Sequence, residues 1–367
     1  MYIHERSEWP RFRWDQATLV DLLAEVRYRQ GRLSGRMEGL GVQLCREAML
    51  TTLTQDVIQA NGIDRDPLDP MQVRSAVARR LGMDLGETTQ INQNVEGILE
   101  VLLDATRNHA APLTAERLFV WQTALFPVDG TGPLPSPVGG WRPANSGPTS
   151  VTPGPLPVDR TTAAAPGADR VEAEMNGFIA WYNAAPQTDL VVQSAVAYFW
   201  FVTIHPFADG NGRIAQALAD LMLARAEQSA QRFYSLSAQI QHERNEYTAV
   251  LEKCQKGPLD ITPWIEWYLH CLKHALAVSE TTLEAVLSKA RFWEAHVGQA
   301  FNDRQRSIVN RLLAGFAGKL TSSTWARLTQ CSQDTALRDI NDLLKYKLLA
   351  KDAAGGRSTS YRLRTPE

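Results

Sequence analysis

Apolar residues recur three and four apart in one segment of this chain after another, and that periodicity predicts a protein assembled from amphipathic helices. In "DQATLVDLLAEVRYRQGRLSGRMEGL", Leu19, Leu22, Leu23 and Val26 share one face, and Asp15 stands where a cap belongs. "VQLCREAMLTTLTQDVIQA" continues with Leu44, Met49, Leu53 and Val57. After the turn-rich "NGIDRDPLDP", the pattern resumes in "MQVRSAVARRLG", closed by Gly82. It runs on through "INQNVEGILEVLLDATRNH" and "LTAERLFVWQTALFP", the latter opened by Thr114. Further helices are read at "RVEAEMNGFIAWYNAA", "LVVQSAVAYFWFVTI", "IAQALADLMLARAE", "ERNEYTAVLEKCQ" and a long stretch from Ile261 to Val297.

Two regions depart from this grammar. From Val128 to Asp169 the chain is rich in Pro, Gly, Ser and Thr, which reads either as a flexible linker or as a functional loop laid over a site. Within it, "TSV" suits a short hairpin strand. Near the C-terminus, three helical segments ("RQRSIVNRLLAGF", "TSSTWARLT", "SQDTALRDINDLLKYKLL") precede a strand, a Gly-Gly turn and a strand, the order of a winged helix-turn-helix. Phe301 to Glu367 holds 12 Lys/Arg against 6 Asp/Glu, so this tail carries +6. With the whole chain at −2, the remainder carries −8, and a basic tail on an acidic body points to a polyanion partner at that end.

Other classes are excluded. No run of about 18 apolar residues exists, so no membrane span is expected. "MYIHERSEWPRFRWD" is too polar for a signal peptide. Cys45, Cys254, Cys271 and Cys331 are scattered without a CxxC pair, which fits a reduced cytoplasmic compartment.

The chemistry concentrates in "HPFADGNGRIAQAL", His205 to Leu218, between two apolar helical segments. A loop with Gly210, Asn211 and Gly212 at a helix N-terminus exposes main-chain N–H groups to an anion. Arg213 adds a forked cation for phosphate oxygens. Asp209 suits a divalent ion bridging those oxygens, and His205 suits a general base near neutral pH. Phe207 is expected to anchor the loop. The set fits attack of a hydroxyl on a nucleotide phosphate.

This stretch resembles the Fic family signature, HPFxDGNGRxxR. "ERLFVWQTALFP", "AEMNGFIAWYN", "FYSLSAQI" and "KGPLDITPWIEWYLHCL" resemble surrounding Fic segments, and the flanking helices and tail resemble domains that accompany Fic. The resemblance implies a mainly α protein: an N-terminal helical domain (1–85), a Fic helical core with a short β-hairpin flap (86–295), and a winged helix (296–367). It implies transfer of AMP from ATP to a Ser, Thr or Tyr hydroxyl of a target protein or of the chain itself. His205 would be the base, Asp209 would hold Mg²⁺, and Gly210, Asn211, Gly212 and Arg213 would hold the phosphates. Tyr247 and Gln255 match positions that contact the nucleoside, and Ser150, Val151 and Thr152 fall where the flap is placed. Relatives often dimerise.

The pattern is broken at linked positions. The family's second arginine, on the γ-phosphate, falls on Gln216, which brings no charge. The inhibitory motif whose glutamate pairs with that arginine falls on "ANGIDRD": Ala60 replaces its Ser/Thr, Asp64 its glutamate and Arg65 the residue after it. Loss of both partners predicts absence of the usual autoinhibition. Two alternatives remain: removal of AMP at the same site, or a DNA-binding regulator whose Fic core senses nucleotide. DNA would meet the helix from Ser332 to about Leu344 and the turn at Gly355, Gly356 and Arg357. Asp334, Asp339 and Asp342 on that helix oppose a phosphate backbone, which leaves protein docking or dimerisation equally placed.

Three other signals are set aside. His270 and His274 lack a third metal ligand, "GFAGKLTS" has Leu313 where a P-loop needs glycine, and Trp264 with Trp267 reads as packing.

Overall fold

The computed structural model describes the chain except for residues 63–67, 84–92, 127–136, 144–164, 314–315, 317, 353–358 and 365–367. It falls into two units, Met1–Glu280 and Thr281–Glu367. The sequence signals for helix starts hold at atomic detail. Asp15 accepts from the Ala17 N–H to open α1 (Gln16–Glu38), which is followed by α2 (Val42–Gly62). Asp69 caps α3 (Pro70–Arg80), and its C-terminal turn ends with Gly82 at φ +68°, as the sequence predicts. Then come α4 (Gln93–Arg107) and α5 (Ala115–Leu125), the latter capped by Thr114 through the Arg117 N–H.

The centre of the first unit is formed by α6 (Val171–Asn183), α7 (Leu190–Ile204) and α8 (Asn211–Glu227). Every residue of α7 from Val191 to Ile204 except Val202 is buried, as expected of a helix apolar on all sides. Each fully buried aromatic or aliphatic side chain there, Phe199 and Phe201 among them, contributes about 1.5–3 kcal/mol. Two polar groups of this core are paired with main-chain carbonyls: Tyr182 Oη donates to that of Leu218, and Ser194 Oγ to that of Ala219. Around it lie α9 (Leu236–His242), α10 (Arg244–Gln255) and the first part of α11 (Thr262–Ala295). The Trp264 indole donates to the Ala195 carbonyl, so the Trp264–Trp267 stripe is indeed packing. The N-terminal segment is tied to this core: the Arg13 N–H donates to Leu259 O, the Ile261 N–H to Arg13 O, and the Trp9 indole to Glu174.

The second unit holds α12 (Asp303–Leu313), α13 (Ser322–Thr329), α14 (Gln333–Lys345), β1 (Leu349–Lys351) and β2 (Tyr361–Leu363). The strands pair antiparallel, Leu349 with Leu363 and Lys351 with Tyr361. Val309, Leu320, Trp325, Ile340, Leu343 and Tyr361 meet in its core. Gly355, Gly356 and Arg357 lie outside the described residues. One sequence argument changes. Asp339 is buried, accepting from Arg304 Nε at 2.8 Å and Asn302 Nδ2 at 2.8 Å, so it cannot oppose a ligand on the outer face. That face presents Gln333, Asp334, Leu337, Arg338, Asn341 and Lys345. Among the described residues, no helix is long and apolar enough to cross a membrane.

Candidate active site

The stretch that carries the chemistry is the connection from α7 to α8. The first helix ends because His205 takes a left-handed conformation, φ 51° and ψ 59°, while its N–H still bonds to the Phe201 carbonyl. Phe207 is fully buried, as its expected anchoring role requires. The Asn211 side chain closes the loop on itself: its Oδ1 accepts from the Phe207 N–H at 2.9 Å, and its Nδ2 donates to the Phe207 carbonyl at 2.8 Å. The amide is thus used to shape the loop, which leaves anion contact to main-chain N–H groups. Gly210 caps the second helix at φ +84°, and a Cβ there would stand 2.9 Å from the Phe126 ring. Glycine is required on both grounds. At Gly212 a Cβ would meet nothing within 4 Å, so the first turn of α8 borders open space.

Arg213 is buried, with its guanidinium 4.9 Å from the centre of the Phe126 ring. Asp209 is half-buried, and its Oδ1 accepts from the Gly210 N–H at 2.6 Å. Among the described residues no cluster of three or more His, Cys, Asp or Glu stands ready for a metal ion. One carboxylate beside a helix N-terminus open to an anion is nonetheless a donor set that Mg²⁺ uses when it is completed by phosphate oxygens and water. The residues present fit that ion in that form.

The His205 imidazole is half-buried, and desolvation lowers its pKa to about 4, with the Arg142 charge acting in the same direction. Asp209 and a hydrogen bond to the Val202 carbonyl pull the other way. The ring is therefore neutral at pH 7 and able to accept a proton. An anion held at the adjacent helix N-terminus would raise its basicity.

Gln216 is buried, and its Nε2 donates to Asp220 Oδ1 at 2.8 Å. Asp220 also takes the Arg232 guanidinium, both side chains being almost fully enclosed. Asp56, on α2, accepts from Ser235 and Ser237 within the field of that pair. A buried polar network thus runs from α2 to the helix that begins at the glycine loop. Ala60 lies one turn beyond Asp56 and is buried. Asp64 and Arg65, like Ser150, Val151 and Thr152, fall outside the described residues.

Gln255 is buried with its Nε2 donating to Thr203 Oγ1 at 3.2 Å, two residues before His205. Tyr247, on α10, is in ring contact with Tyr198 of α7 and with Trp264 and Trp267. Sequence reasoning missed Arg142 and Trp141. Both lie in the Pro/Gly-rich stretch, yet Trp141 packs on Phe207 and Phe119, with ring centres 5.0 and 4.5 Å away. Part of that stretch is therefore a loop laid against the site. An aromatic–arginine pair amid Pro and Gly was the available signal.

Taken together, this is an all-helical domain with a histidine and an acid on a loop that feeds a glycine-flanked helix N-terminus. Residues 112–223 match the Fic/DOC family, and residues 2–83 match a domain of unknown function, DUF4172. Residues 112–223 are a Fic domain. The chain is 33% identical over 114 residues to the protein adenylyltransferase Fic of Aedes aegypti, covering 30% of this chain and 21% of that protein. With its counterpart from Nematostella vectensis the identity is 29% over 130 residues, 35% of this chain and 27% of that one. The match thus spans about a fifth to a quarter of these relatives' length. In fold, it is similar to a Fic family protein from Desulfovibrio desulfuricans G20, with a TM-score of 0.54 at 20% identity over 98% of this chain and 99% of that one. Fic-1 from C. elegans gives 0.52 at 18% identity, over 73% and 74%.

Proposed function

We propose that the chain is a protein nucleotidyltransferase, moving AMP from ATP to a Ser, Thr or Tyr hydroxyl of a target protein or of itself. The observation that carries this is the conjunction at the α7–α8 loop: a neutral imidazole, a half-buried carboxylate and an open, glycine-bordered helix N-terminus within nine residues. The adenylyltransferase names of the relatives agree with it.

In this reading the triphosphate lies along the turn of Gly210, Asn211 and Gly212, whose first N–H is held by Asp209, with Arg213 beside the phosphates. Asp209 would hold Mg²⁺, whose chemistry there would be to offset phosphate charge. The target hydroxyl oxygen attacks the α-phosphorus while its proton passes to His205. The bond to pyrophosphate breaks and an AMP ester remains on the protein. Gln255 and Tyr247 are assigned to the nucleoside side, and Ser150 to Thr152 to the flap. Absence of the usual autoinhibition is supported by Gln216, whose amide nitrogen is given to Asp220. The second unit is read as a winged helix-turn-helix. With Asp339 turned inward, Asp334 and the half-exposed Asp342 still stand beside Arg338 and Lys345, so DNA contact and protein docking remain equally placed.

The test is intact mass. The purified chain, given Mg²⁺ and each nucleoside triphosphate with a lysate fraction as target, is expected to place one nucleoside monophosphate on a protein hydroxyl, with ATP the best donor. Unchanged masses for chain and targets with all donors overturn the reading.

A further inference from the structure

His205 is held in a costly conformation. A non-glycine residue in the left-handed region, followed by proline, is disfavoured on both counts, and such strain is of order 1–3 kcal/mol. Something must hold it. The Arg142 N–H donates to the Pro206 carbonyl at 2.9 Å, and Arg142 Nε donates to the His205 carbonyl at 2.8 Å. The terminal Nη2 of the same guanidinium reaches the Pro166 carbonyl at 2.5 Å. The side chain is 3% exposed, so these bonds are shielded from water. Trp141, on Phe207, fixes the segment from which Arg142 projects.

We propose that Arg142 is a positioning residue for His205: by donating to carbonyls of His205, Pro206 and Pro166, it locks the strained backbone that aims the imidazole. This rests on the transfer reading for its catalytic consequence, but not for its structural one. The fork matters because one planar group serves two main-chain acceptors at once, which a lysine ammonium cannot reproduce. The charge matters separately. Among the described residues, Arg142 and Asp209 are the charges acting on the imidazole, in opposite senses.

The experiment compares Arg142→Met and Arg142→Lys with the wild-type chain. Histidine Cε1–H resonances are followed from pH 3 to 8, His205→Asn assigning the signal of interest among seven histidines. In Arg142→Met the His205 midpoint is expected to rise by about 1 unit, because a like charge has been removed. In Arg142→Lys, which keeps the charge, it stays at the wild-type value. Saturating transfer rates at pH 7.5 fall roughly 10-fold or more in Arg142→Met and by a smaller factor in Arg142→Lys, with the KM for ATP within about threefold in both. A wild-type midpoint together with a wild-type rate in Arg142→Met overturns the proposal. If Arg142→Met does not fold, Arg142→Lys decides: an unchanged transfer rate there refutes the positioning role. Should the wild-type chain transfer nothing, the function reading fails, while the midpoints still decide whether Arg142 governs His205.

Discussion

Replacing His205 with asparagine is expected to lower nucleotide transfer by about 10²–10⁴-fold, the range a positioned general base supplies, while Tm stays within a few degrees. Asparagine is the informative choice because it tolerates the left-handed backbone that His205 adopts at φ 51°. Its amide offers no base at any working pH. The same variant separates the alternatives. A transferase loses labelling by that factor, whereas a DNA-binding regulator with a nucleotide-sensing core keeps its DNA response. Labelling at the wild-type rate in His205→Asn would remove the imidazole from the chemistry.

The second large effect is on stability. Arg232 and Asp220 form an ion pair with side chains 4% and 2% exposed, and Gln216 shares the same carboxylate. Removing one member of such a pair leaves a buried charge without its partner, which costs about 3–5 kcal/mol. Arg232→Met is therefore expected to destabilise the first unit by that amount in urea unfolding, and a loss under about 1 kcal/mol would contradict the burial described here. Two carboxylates face this one guanidinium. Asp220 takes it directly, and burial pushes Asp56 up to about 6, against Arg232 and the hydroxyls of Ser235 and Ser237. Because that value lies above the unfolded one of about 3.9, folding takes up a proton. The stabilisation is complete below about pH 4 and is lost as pH rises through 6. Asp56→Asn still accepts from both serines, and it should flatten the stability profile between pH 5 and 7. An unaltered slope in that variant would place the titration elsewhere.

Much of the fold was legible because helices announce themselves locally. Asp15 and Thr114 cap where the sequence places them, and Ser332 caps the helix read as starting there, since a cap needs only its own next three residues. The glycine loop was legible for the same reason: its residues are contiguous. What escaped was assembled across the chain. Arg142 meets His205 from 63 residues away, and Asp56 meets Ser235 from 179. Nothing in the neighbourhood of either residue encodes that partner. Asp339 misled for a related reason: on a helix it reads as one more surface acid until Arg304 and Asn302 are seen to take it inward.

The most direct measurement is calorimetric titration of Mg²⁺·ATP into the His205→Asn and Gly212→Asp variants. In His205→Asn the phosphate cradle is intact, so one-to-one binding with an affinity near that of the wild-type chain is expected. In Gly212→Asp, where the new side chain enters open space beside the first turn of α8, folding is preserved and a carboxylate stands among the phosphates, so binding should weaken at least about 10-fold. Equal affinity in both variants, or no saturable heat from His205→Asn at millimolar ATP, would contradict the claim that this loop grips a nucleotide's phosphates beside its base.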